Sequence, residues 1–196
     1  MVLGVLGCAT ILGGWDCGSG LTTGDAGPSV CSRSLAEMGP CEVTLTGAAT
    51  ARGACRPTYA VYNSGAGSPG STSLGSLSAS NLAGAGGLVR SVNVNLAWNG
   101  APALGPQQLI AASDANGVPS AASVTLSDGG RFEVTYGRSG GGIAFDISKA
   151  EVEPGADACV PCQEFWCLDG VITADLPSVS DATAVVHLVM SFDAGI

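Results

Sequence analysis

The sequence predicts an all-β protein: an antiparallel two-sheet sandwich, of jelly-roll or immunoglobulin-like type, stabilised by disulfides and preceded by an irregular N-terminal arm. Three observations predict it. Segments of period-two alternation recur from Cys41 to the C-terminus, separated by Gly, Asn and Asp turn residues. Helical periodicity is almost absent. Eight cysteines gather at the two ends of the chain, five of them by Cys55 and three between Cys159 and Cys167.

Residues 1–40 read as an arm followed by a cysteine-containing loop segment. Met1 to Trp15 carries no charge and is shorter than the roughly 20 apolar residues that span a bilayer. Val2 to Leu12 suits a first strand or a buried arm. Asp16 to Pro40 is dominated by Gly, Ser, Thr and Asp, which favour turns. A short helix over Ser34 to Met38 is allowed there, with Ser32 or Ser34 as N-cap and Gly39-Pro40 as the stop.

The sandwich domain is expected over 41–196. Cys41 to Asn63 reads as two strands, Val43 and Leu45 alternating with Thr44 and Thr46, then Tyr59 and Val61 alternating with Ala60 and Tyr62. Cys41 and Cys55 fall at strand ends, where a cross-link could close a hairpin. Residues 64–87 are a Ser/Gly-rich insertion, with Leu74, Leu77 and Leu82 as anchors laid on a sheet. Val89 to Trp98 places Val92, Val94, Leu96 and Trp98 on one face, and Asn99-Gly100 follows as a turn pair. Gln107 to Ser113 reads as a short strand and Asp114 to Gly117 as a turn. Ser123 to Ser127 and Arg131 to Arg138 flank Asp128-Gly129-Gly130, a hairpin signature. Ile143 to Val152 turns Ile143, Phe145 and Ile147 inward. Gly170 to Leu176 and Thr183 to Phe192 complete the set, the last being an apolar run typical of a central strand.

Composition excludes several functions. Aromatics are 5% of the chain, so the core is built mainly from Val, Leu, Ile and Ala. Charged residues are 12%, against about 25% in ordinary soluble domains. The 7 basic residues are scattered and outnumbered by 16 acidic ones, a net of −9, so no cluster could neutralise a run of phosphates. Nucleic acid is therefore not an expected partner. A polybasic patch for anionic lipid is also missing.

The cysteines read best as disulfides of an exported protein, the candidates being Cys17, Cys31, Cys41, Cys55, Cys159, Cys162 and Cys167. Cys159, Cys162 and Cys167 with His187, the single histidine, could instead form a tetrahedral zinc site. Only one C-x2-C knuckle is present, and in an oxidising compartment the thiols would pair, so no metal is assigned. Redox chemistry at Cys159-Val-Pro-Cys162 is disfavoured because Asp157 and Glu164 would raise, not lower, a neighbouring thiol pKa. Phe165 and Trp166 read as a hydrophobic plug over a cross-linked loop.

Catalytic sets are not found. His187, sitting in an apolar run, reads as a core or barely exposed residue without a recognisable partner. Glu151 and Glu153 share a strand face and read as surface carboxylates. Asp114 and Asn116 imitate the start of a calcium loop but lack the later ligands. No catalytic residue, cofactor or metal is assigned.

Val5-Leu6-Gly7-Cys8 resembles the lipobox of bacterial lipoproteins, in which a small residue precedes the cysteine that becomes lipidated. The resemblance implies a lipid anchor at Cys8, the only route to a membrane, in an extracellular or outer-membrane-attached protein; otherwise Cys8 joins a disulfide. The expected function is non-enzymatic: a surface lipoprotein, or a subunit of an extracellular fibre, coat or appendage. Its partners would be copies of itself or other cell-surface proteins, met through the arm by strand addition. The alternative is a secreted module that binds carbohydrate or a protein partner through Trp98, Tyr136 or Trp166.

Overall fold

The computed structural model describes residues 40–56, 60–64, 70–85, 87–114, 118–138, 141–152 and 162–193. The arm, the helix considered over Ser34 to Met38, the lipobox-like motif and Cys8, Cys17, Cys31 and Cys159 lie outside the described residues.

Among the described residues eleven strands follow in chain order: β1 Cys41–Gly47, β2 Thr50–Ala54, β3 Ala60–Ser64, β4 Ser71–Ala85, β5 Gly87–Asn99, β6 Gly105–Pro106, β7 Ala121–Leu126, β8 Arg131–Thr135, β9 Gly142–Val152, β10 Cys162–Pro177 and β11 Val185–Phe192. All the pairings are antiparallel. Their order is β6-β9-β10-β11-β1-β2-β4-β5-β7-β8, with β3 joining β10 to β4. The expected all-β antiparallel class is observed.

Alternation explains the architecture. Val43 and Leu45 on β1, Val92 to Trp98 on β5, Ile143 to Ile147 on β9 and Val186 to Phe192 on β11 bury every second residue and leave the others outward. A sheet with one apolar face must turn that face against another apolar surface. Here the sheet turns it on itself. The pairing path β10–β11–β1–β2–β4–β3 returns to β10, and the inward side chains form one contiguous core. Trp98 on β5 meets Phe145 on β9 edge to face, with ring centroids 5.4 Å apart. Phe145 stacks on Phe192 of β11 at 5.9 Å. The Trp98–Phe145 contact joins strands that are remote along the pairing path.

Several elements differ from the sequence reading. Cys41 to Asn63 holds three strands, because Gly47 (φ 92°) turns the chain after β1. The Ser/Gly-rich stretch contains β4, a 15-residue strand, and its anchors Leu74, Leu77 and Leu82 lie in the core as expected. The alternation in β4 breaks twice, at a register shift between Leu74 and Leu77 and at Asn81 with positive φ. Those breaks hide the strand from a period-two search. In place of a strand over Gln107 to Ser113, the chain makes one bridge, Trp98 to Leu109, and buries Leu109 and Ile110. The hairpin at Asp128 is as expected: Gly130 N–H donates to the Asp128 carboxylate at 2.8 Å and Gly129 takes φ 93°.

β10 begins at Cys162, so Trp166 stands in a strand rather than a loop plug. Its ladder with β9 shifts register at Asp169/Gly170. The extra residue, Ser148, moves the inward set on β9 from Ile147 to Ala150.

Candidate functional site

β1 and the end of β2 bring Cys41 and Cys55 together. Their Cα atoms lie 5.0 Å apart and the sulfurs are bonded, closing the hairpin as the strand ends suggested. The neighbouring backbone supports the link, since Cys55 N–H donates to Cys41 O at 2.8 Å. Cys167, on β10, is disulfide-bonded as well. Cys162 opens β10 opposite Ser64. The zinc alternative fails on distance. His187 pairs with Asp175, eight residues along β10 from Cys167, and at about 3.3 Å per residue that separation is roughly 26 Å. Among the described residues, no group of three or more His, Cys, Asp or Glu side chains could hold a metal ion.

The outward face of β9, β10, β11 and β1 is the most distinctive described surface. Cross-strand rows run Gly142–Asp175–His187–Thr46, Ala144–Thr173–Val189–Thr44 and Asp146–Val171–Ser191–Glu42. Small and uncharged residues dominate the middle row, and Val171 and Val189 are exposed large apolar residues. A shallow depression of about 340 Å³ lies here, with Gly142, Ala144, Thr173, Asp175, His187 and Val189 on its walls.

His187 stands on this face, not in the core. Its neighbours Val186 and Leu188 point inward, so parity turns the imidazole to solvent, with the side chain 56% exposed. Its Nδ1 lies 2.6 Å from Oδ1 of Asp175, directly across the ladder. Sequence reasoning missed the partner. The available signal was parity, because Asp175 alternates with inward Ala174 and Leu176 just as His187 alternates with its neighbours. A carboxylate so placed orients an imidazole. Among the described residues no hydroxyl is hydrogen-bonded to the ring.

The aromatic candidates do not form a platform. Trp98 is 1% exposed, and its indole Nε1 is buried without a hydrogen-bond partner. Tyr136 packs partly buried against the core, as does Trp166. The Trp166 Nε1 donates to Glu164 at 3.2 Å. Asp114 accepts the Ala111 N–H at 2.7 Å, which is turn chemistry. Glu151 approaches Lys149 at 3.7 Å.

Two exposed carboxylates have stronger local roles. Arg52 donates to Glu42 at 2.7 Å across β1 and β2, and that hydrogen bond and charge hold the guanidinium above its ordinary pKa. Asp181 accepts from the Thr183 hydroxyl at 2.7 Å and the Thr183 amide at 3.0 Å, which lowers its pKa.

Among the described residues no helix is long and apolar enough to cross a membrane. No protein-family model, curated protein or solved structure matches the chain.

Proposed function

We propose that this chain is a non-enzymatic structural or interaction protein of the cell exterior: a surface lipoprotein or a subunit of an extracellular fibre, coat or appendage. The observation that carries the reading is the disulfide-bonded β shell with Val171 and Val189 exposed on its outward face. Disulfides such as Cys41–Cys55 persist in oxidising compartments and are rare in reducing ones. The Val171 and Val189 rows give a surface suited to protein contact, with Ala144, Thr173 and Thr44 too small to obstruct it. The uncharged stretch Met1 to Trp15 has the apolar composition that addition to a neighbour's sheet requires.

Copies of the chain or other surface proteins are the proposed partners, and Cys8 is the proposed lipid attachment point where a membrane is involved. Carbohydrate binding through aligned aromatics gains no support, because Trp98 is buried and Tyr136 and Trp166 pack against the core. Size-exclusion chromatography with light scattering tests assembly on the full chain and on a chain lacking residues 1–16. Association that disappears on truncation is expected. Monomers in both samples would overturn the arm-mediated reading.

A further inference from the structure

We propose that His187 is a zinc ligand, and that the ion it holds is shared with His187 of a second copy of the chain, the outward faces of β10 and β11 meeting around it. The inference rests on the reading that copies associate, and names a surface and a cation for that association.

The setting of His187 is that of a metal ligand. β11 is paired on both sides, to β10 and to β1, so the backbone beneath the ring is fixed. Nδ1 lies 2.6 Å from Oδ1 of Asp175. A carboxylate accepts, so Nδ1 donates, and in the neutral ring Nε2 keeps its lone pair. Metal-bound histidines share this arrangement, the second ring nitrogen donating to a carboxylate that fixes tautomer and orientation. Gly47 stands at the other side of the ring, where a Cβ would lie 3.2 Å from Cδ2. The approach is open. Next to Asp175 in the same cross-strand row is Gly142, and among the described residues nothing stands within 4 Å of where its Cβ would be. Ala144, Thr173 and Val189 wall the depression of about 340 Å³ beside the pair.

One imidazole does not make a zinc site, which is tetrahedral. Among the described residues no group of three or more His, Cys, Asp or Glu side chains could hold a metal ion, so the site is incomplete within one chain. A two-fold axis through the ion supplies a second Nε2, and water fills the remaining positions. Sheets packed face to face lie roughly 10 Å apart. With Zn–N bonds of about 2 Å, an imidazole reaching out from each sheet meets the other at an ion midway between them. Gly142, Ala144 and Thr173 are small enough to allow that approach, and the exposed Val171 and Val189 leave water in it.

Charge favours a cation at this axis. Asp146, Asp175 and Glu42 lie on the face, Glu42 with Arg52 as its ion-pair partner. The chain carries a net charge of −9, so two copies repel each other. A divalent ion between the faces offsets that repulsion, and imidazole nitrogen selects zinc over magnesium.

Zinc titration of the oxidised full chain, with any free thiols alkylated, tests this. The single histidine makes its imidazole resonances unambiguous in NMR. Zinc should shift the Nε2 resonance and double the mass seen by light scattering, at one zinc to two chains. EDTA should reverse both effects, and magnesium should produce neither. His187→Gln, checked for folding by circular dichroism, should lose both, and Asp175→Asn should weaken zinc binding by roughly 10–100-fold. An imidazole unmoved by zinc, zinc bound without a change in mass, or magnesium acting as zinc does would overturn the proposal. Association that persists in EDTA and in His187→Gln would overturn the shared site and leave the association of copies standing. Monomers at every zinc concentration would overturn both.

Discussion

Replacing Cys41 and Cys55 together by alanine removes the bond that closes β1 onto the end of β2. The two cysteines are 14 residues apart in sequence. For a closed loop of about 15 residues the chain-entropy model gives about 3 kcal/mol at 25 °C. That is a large share of the roughly 5–15 kcal/mol that separates a folded domain from its unfolded chain. The native hairpin does not need the bond for its shape. The ladder from Glu42↔Ala54 to Leu45↔Ala51 and the Cys55-to-Cys41 backbone hydrogen bond already bring the ends together. The loss should therefore come mainly from a freer unfolded chain. Urea unfolding without reductant, followed by the fluorescence of buried Trp98, measures it. The variant should have a lower midpoint, a stability lower by about 3 kcal/mol and a steeper denaturant slope, because the unlinked chain exposes more surface. A loss below about 1 kcal/mol with an unchanged slope would refute the unfolded-state argument.

Other outcomes follow from the packing and the turns. Phe145→Ala removes the ring that touches both Trp98 and Phe192 and should cost about 3–5 kcal/mol in the same assay; a cost under 1 kcal/mol would mean that the two halves of the sheet do not meet through it. Gly170→Ala puts a Cβ 2.6 Å from Asp146 O and 2.9 Å from Phe145 Cε2 at the register shift, for an expected cost of about 1–3 kcal/mol; unchanged stability would show that the β9–β10 ladder yields freely there. Asp181 should titrate below the ordinary carboxylate value of 3.8 in a carboxyl NMR titration. With its folded pKa depressed, its contribution is present above the unfolded pKa and lost as pH falls through the lower folded one. Thr183→Ala deletes the hydroxyl donor and should move the midpoint back up; no movement would remove that hydrogen bond as the cause.

Much of the fold was legible because one-sided burial writes itself into sequence as period two. β5, β9 and β11 follow that rule for long stretches, and their inward residues are the ones alternation names. The Asp128-Gly129-Gly130 turn was legible for a different reason, since few residues accept its positive φ. β4 was not, because its ladder slips at Leu74/Leu77 and its chain takes positive φ at Asn81, so the leucines lose their period. Ser148 does the same to β9 after Ile147.

The cysteine framework divides along the same line. From sequence came the disulfide expectation itself and the placement of Cys41 and Cys55 at strand ends, because local alternation marks where strands stop. The sequence also determined the all-β class, a core built mostly from aliphatic side chains and the excess of acidic over basic residues. Only the tertiary structure decided that the pairing path closes on itself through β3, that Trp98 belongs to the core, and that His187 faces outward against Asp175. Each depends on which strands become neighbours. That is settled by register and by the burial of one face against another, over separations in sequence that no local pattern spans.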